Sequence, residues 1–187
     1  MEKTNYAINE YGEIIREDYF FTSVKGTTPQ VLPTNRKAWK MWLLSFFTLG
    51  IYGLVVMFAM SKETNIACAE DGKHTRNLWG TILLSIITLG IYAFVWYYQW
   101  ANRENEYLRR YRREGGMLTG GVLIFLMLIS FVLSSACQLF LSSGVVSTGI
   151  ILYLINILWG IYVLSRYVKQ HNTVNRIYNL NTFGKKA

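Results

Sequence analysis

Apolar and charged positions segregate along this chain into long blocks. Residues 41–60, 77–102 and 117–141 contain no Asp, Glu, Lys, Arg or His, and residues 148–165 form a fourth, shorter uncharged run. A helix of twenty residues is ~30 Å long, the thickness of a bilayer core. Lipid offers no partner for free peptide groups, so helices are the natural form for such segments. The pattern predicts an all-α membrane protein with about four transmembrane helices. The third and fourth helices would form a hairpin over 114–167, turning at Ser142-Ser143-Gly144. The polar segment 1–37 precedes them. In it, Tyr6-Ala7-Ile8 and Glu13-Ile14-Ile15 flank Asn9-Glu10-Tyr11-Gly12, which suits a short β-hairpin.

The first two apolar blocks are copies of each other. Residues 42–52 read WLLSFFTLGIY and residues 82–92 read ILLSIITLGIY, eight of eleven identical at an offset of forty. Arg36, Trp39 and Asn65 recur as Arg76, Trp79 and Asn105. The duplication therefore covers 36–75 and 76–113, within a helical unit of 38–113. Gly160-Ile161-Tyr162, with Asn175 fifteen residues beyond Gly160, reads as a third, eroded copy.

Charge sets the orientation. The chain carries 19 Lys and Arg against 11 Asp and Glu. Four spanning helices with both termini inside leave sixteen of those nineteen in the cytoplasm, as the positive-inside tendency requires. If Thr-Leu-Gly instead breaks each repeat into a re-entrant hairpin, all nineteen are cytoplasmic. Gly without Pro is a weak breaker in a membrane helix, so four spans are expected. Basic residues that flank apolar stretches point to lipid headgroups rather than nucleic acid. The polar start of the chain is no secretory signal and is expected to stay in the cytoplasm. Cys68 and Cys137 suggest neither a disulfide framework nor a metal site.

The candidate functional positions are sparse. Ser45, Thr48, Gly50 and Tyr52, with their copies Ser85, Thr88, Gly90 and Tyr92, are the small and hydroxylated residues that let membrane helices pack closely. Gly116 and Gly120 add a further close-approach spacing. Gln138 and Asn156 are the strong polar groups at depth and are expected to act as structural glue, bonded to each other or across an oligomer. Arg109, Arg110, Arg112 and Arg113 prolong the second helix into the cytoplasm, where they can meet anionic headgroups or an acidic partner. Residues 168–187 read as an amphipathic basic tail. His171 in it, beside Val168, Val174 and Ile177, is expected at the inner interface. The loop Glu70-Asp71-Gly72-Lys73-His74 reads as a turn. No motif for a catalytic, cofactor or metal site is present.

The repeated Arg-x-x-Trp…TLGIY…Asn unit, with Asp71-Gly72-Lys73 between copies, resembles a family of small bacterial membrane proteins classed only as a domain of unknown function. The resemblance implies a helical fold in the bacterial inner membrane and no known reaction. Many members carry a zinc-ribbon head, which this chain lacks. The expected function is that of a non-enzymatic protein acting through helix packing, as a homo-oligomer or an accessory subunit. The alternatives are a channel or transporter for an ion, lipid or small molecule, and, further off, a lipid-modifying membrane enzyme.

Overall fold

The computed structural model describes residues 6–8, 14–16, 30–111 and 118–184. Among them are six α-helices: α1 (Ala38–Phe47), α2 (Ile51–Ala67), α3 (Leu78–Ile87), α4 (Ile91–Arg110), α5 (Gly120–Ser142) and α6 (Val146–Phe183). Two three-residue strands, β1 (Tyr6–Ile8) and β2 (Ile14–Arg16), pair antiparallel with Tyr6 opposite Arg16. The turn expected at Gly12 lies outside the described residues.

The first apolar block is not one helix, contrary to the expectation of a single span over 41–60. It breaks at Thr48–Gly50, and the second block breaks in the same way at Thr88–Gly90. Leu49 and Leu89 take φ of 51° and 50°, and Gly50 and Gly90 take 89° and 91°. The amide of Gly50 reaches back to the Ser45 carbonyl at 2.7 Å, and Gly90 to Ser85 at 2.6 Å, which closes the end of the preceding helix. The threonine opens the next helix. The Thr48 hydroxyl donates to the Leu44 carbonyl (2.7 Å) and accepts from the Tyr52 amide (3.0 Å). Thr88 does the same with Leu84 and Tyr92. Both sides of the break are thus hydrogen-bonded without proline.

Each break folds its block into a hairpin. A Cβ on Gly53 of α2 would lie 2.8 Å from the Ser45 hydroxyl of α1, so the two backbones run close together. In the second hairpin the Trp96 indole of α4 donates to the Arg76 carbonyl at the foot of α3 (2.9 Å). With 10 residues each, α1 and α3 are ~15 Å long, half a bilayer core.

The third hairpin is longer. Helix α5 has 23 residues and α6 has 38, and each is long and apolar enough to cross a membrane. They turn at Gly144, with φ 83°. Along their seam Trp159 donates to the Leu126 carbonyl (3.0 Å), and a Cβ on Gly149 would meet Leu141 at 2.5 Å. At the base, Gly120 lies so close to α4 that a Cβ would sit 2.4 Å from the Tyr98 carbonyl.

The polar halves of α2, α4 and α6 converge into a head with a buried core of Trp96, Trp100, Tyr107, Leu108, Val168 and Val174. Trp96 and Trp100 are enclosed within it. Asparagines on these helices clamp the connecting strands of chain. Asn65 exchanges two hydrogen bonds with the Thr75 backbone, Asn172 two with Arg36 and Asn179 two with Leu32.

Candidate functional site

The densest chemistry in the head is a buried line of ionisable groups. Glu63 sits on α2, Glu104 on α4 and His171 on α6, while Arg36 leads into α1. Each faces inward because it falls one turn beyond a buried residue of its own helix: Met60, Trp100 and Tyr167 respectively. Arg36 grips Glu63 with both guanidinium nitrogens, at 2.5 and 2.6 Å. Glu63 Oε2 also receives His171 Nε2 and Asn175 Nδ2, each at 2.9 Å. The other imidazole nitrogen, Nδ1, lies 2.7 Å from Glu104 Oε1. That oxygen further accepts from the Thr64 hydroxyl (2.8 Å) and the Trp100 indole (3.0 Å).

Both nitrogens of His171 thus face carboxylates, which only accept, so geometry selects the doubly protonated imidazolium. Burial alone would lower the pKa of His171. The charge and hydrogen bond of Glu104, with those of Glu63, outweigh it and raise the pKa above its ordinary value. For Glu63, burial raises the pKa, but hydrogen bonds from His171 and Arg36 and their charges bring it below the usual carboxylate value. Two carboxylates, one guanidinium and one imidazolium sum to zero. His171 and Glu104 are both 0% exposed. The line therefore joins all three hairpins through one cation that no solvent reaches.

A second cluster pins the loop between the first two hairpins. Arg103 of α4, itself buried, pairs with Asp71 at 2.6 and 2.9 Å. It also donates to Asn65 Oδ1, the Thr75 hydroxyl and the Lys73 carbonyl. The Asp-Gly turn forms as expected, with Gly72 at φ 66° and the Lys73 amide on Asp71 Oδ1. Among the described residues no group of three or more His, Cys, Asp or Glu is placed to hold a metal ion.

The positions singled out from the sequence are dispersed. Ser45 packs against Gly53 within its own hairpin and bonds the Met41 carbonyl (2.6 Å), while the Ser85 hydroxyl is buried without a partner among the described residues. Thr48, Gly50, Thr88 and Gly90 build the breaks. Tyr52 and Tyr92 pack against the core, and Tyr92 carries the Arg76 guanidinium over its ring. Gln138 does not meet Asn156: it is exposed on α5, and Asn156 donates instead to the Ser134 hydroxyl (2.8 Å). Arg109 and Arg110 are exposed on the last turn of α4, and Arg112 and Arg113 lie outside the described residues. Glu106 pairs with Lys73 (2.9 Å).

Two expectations for the tail are corrected. Residues 168–183 are not a separate surface helix but the continuation of α6, and Val168, Val174 and Ile177 are core. His171 is not interfacial. Its carboxylate partners lie 67 and 108 residues away, so its own neighbourhood in the sequence carries no trace of them. One signal was available: at the forty-residue offset Glu63 aligns with Arg103 and Thr64 with Glu104. Charge changes there, one turn past the apolar run, between otherwise similar copies.

A model of a family described as a domain of unknown function, DUF4234, matches residues 36–79 and 76–179. The chain belongs to the DUF4234 family. The second match takes in α3 to α6 and, with the first, both Arg36 and His171. No curated protein and no solved structure is found to match the chain.

Proposed function

We propose that this DUF4234 protein is a non-enzymatic integral protein of the bacterial inner membrane that works by packing, as a homo-oligomer or as an accessory subunit of a membrane complex. In this reading the third hairpin crosses the bilayer, the first two enter only the inner leaflet, and head and termini lie in the cytoplasm. One observation carries it: the hairpin tips are clothed in apolar side chains while Glu63, Glu104 and His171 of the head are drawn together in a buried line. Leu49 and Leu89 are 94% and 93% exposed, beside exposed Phe46, Phe47, Ile86 and Ile87. So much contiguous apolar surface needs lipid or another protein to cover it.

A transport path is less well supported. The cavity of about 280 Å³ beside the first and third hairpins is lined mainly by apolar side chains such as Met57, Leu123, Met127 and Val163, with hydroxyls of Ser45, Ser130, Tyr97 and Tyr167 but no charged group among its described lining residues. Placement is tested with single cysteines in a chain whose Cys68 and Cys137 are replaced. An impermeant reagent outside the membrane should label Ser143→Cys and spare His74→Cys, an exposed position of the loop between the first two hairpins. Labelling of residue 74 from outside would restore the four-span topology. Function is tested by mass in lipid discs: a monodisperse monomer with no co-purifying protein would overturn the packing role.

A further inference from the structure

The two repeats differ most in how they treat their leading arginine. Arg36 is closed by Glu63. The residue equivalent to Glu63 in the second repeat is Arg103, which is turned to Asp71. Among the described residues no carboxylate lies within ion-pair distance of Arg76; its guanidinium carbon stands 6.0 Å from the centroid of the Tyr92 ring. Duplication has kept the cation and dropped its anion.

Arg76 borders a cleft of about 310 Å³. Lys73, His74, Gln99, Asn102, Arg103 and Glu106 are among its other lining residues. Arg103 is neutralised by Asp71 and Lys73 meets Glu106 only through an exposed pair, so among the described lining residues Arg76 is the cation with no carboxylate closing it. The floor is Trp96, held by its bond to the Arg76 carbonyl. Helix α3 begins two residues after Arg76, and its first turn, capped by Asn77, adds partial positive charge. The apolar stretch starts at the same point. With the membrane placement proposed above, the cleft falls at the depth of headgroup phosphates, and a guanidinium fork matches a phosphate with two parallel bonds.

We propose that this cleft binds the phosphate of an anionic phospholipid headgroup, with Arg76 as the bidentate partner and Lys73 as the second cation. A soluble phosphoester would satisfy the same cations, but the position at the mouth of an apolar hairpin favours the lipid. The inference rests on the membrane placement above, which cysteine labelling tests independently.

The test uses the full chain, stripped of lipid in a nonionic detergent and followed by thermal unfolding during titration. The probes are dioctanoyl phosphatidylglycerol, dioctanoyl phosphatidylcholine and inorganic phosphate. Phosphatidylglycerol should bind at least tenfold more tightly than phosphatidylcholine, and inorganic phosphate at matched concentration should give no shift. Arg76→Gln and Lys73→Gln should each weaken phosphatidylglycerol at least fivefold, with Arg76→Lys retaining part of the affinity. Lys169→Gln, at an exposed position of α6, should change it less than twofold. Equal binding of the two lipids, or wild-type affinity in both glutamine variants, overturns the proposal. A response to inorganic phosphate equal to that of phosphatidylglycerol overturns the lipid assignment. Should Arg76→Gln fail to fold, Lys73→Gln decides alone, since that side chain is exposed.

Discussion

Gly50 and Gly160 begin the same tripeptide, Gly-Ile-Tyr, and the chain treats them oppositely. At Gly50 the helix stops and reverses; at Gly160 it runs on through 38 unbroken residues of α6. Glycine alone therefore does not make the break. What differs is the pair of residues before it. Thr48 supplies a hydroxyl that bonds both helices it separates, and Leu49 accepts a left-handed backbone at a fully exposed tip. Leu158 and Trp159 replace them in the third copy. Leu158 has no hydroxyl for the Tyr162 amide, and Trp159 spends its indole on the Leu126 carbonyl. The same Gly-Ile-Tyr unit thus follows a hairpin break in two cases and lies within an unbroken helix in the third.

The strongest way to break this relation is to cut the tie between the third hairpin and the other two. His171→Leu leaves Glu63 and Glu104 buried with Arg36 as sole counterion. A buried pair deprived of one partner loses about 3–5 kcal/mol, to be read from denaturant unfolding in detergent or lipid discs. Gly120→Ala attacks the same docking from the other end. The added methyl would strike the Tyr98 backbone, which cannot swing aside, and overpacking of this kind costs about 1–3 kcal/mol.

The glycines give the sharpest contrast because their effects should differ in sign. Gly50→Ala and Gly90→Ala force a side chain into the left-handed region, at about 1–2 kcal/mol each. Gly160→Ala meets nothing within 4 Å on a helical backbone and should stabilise by up to about 1 kcal/mol. A loss at Gly160 equal to that at Gly50 would mean that the third copy is broken too. Thr48→Val, which keeps shape and removes the capping hydroxyl, should cost about 1 kcal/mol.

The pH profile gives the gentlest probe. Because the pKa of His171 is raised by folding, its contribution is complete below its ordinary value of 6.5 and disappears as pH rises through the folded value. Glu63 runs the other way: its contribution is complete above 4.5 and is lost as pH falls through its lowered folded value. The melting temperature should therefore plateau in mildly acidic solution and decline on both sides. The alkaline decline should vanish in His171→Leu.

Much of this is visible in the sequence, and the rest is hidden for definite reasons. The apolar blocks, the forty-residue offset and the Asp71-Gly72 turn are local patterns, and each is found where local pattern places it. The break at Thr48–Gly50 is not predicted by sequence pattern, because glycine without proline is a poor helix breaker. The hydroxyl cap that decides the matter is a three-dimensional bond. His171 is expected at the inner interface because it lies among polar neighbours along its own helix, and nothing local marks Glu63 or Glu104 as its partners. Their burial comes from helices contributed by distant parts of the chain, and no periodicity within one helix reports that.

The ion line also imposes an order on biosynthesis. Glu104 leaves the ribosome well before residue 171, so the cation that faces it does not yet exist when it emerges, whereas Glu63 follows Arg36 and can pair with it at once. Until α6 arrives, the first two hairpins are linked through Thr64, which bonds both Glu104 and Trp100. Sealing of the head by His171 thus waits for the last helix to be synthesised.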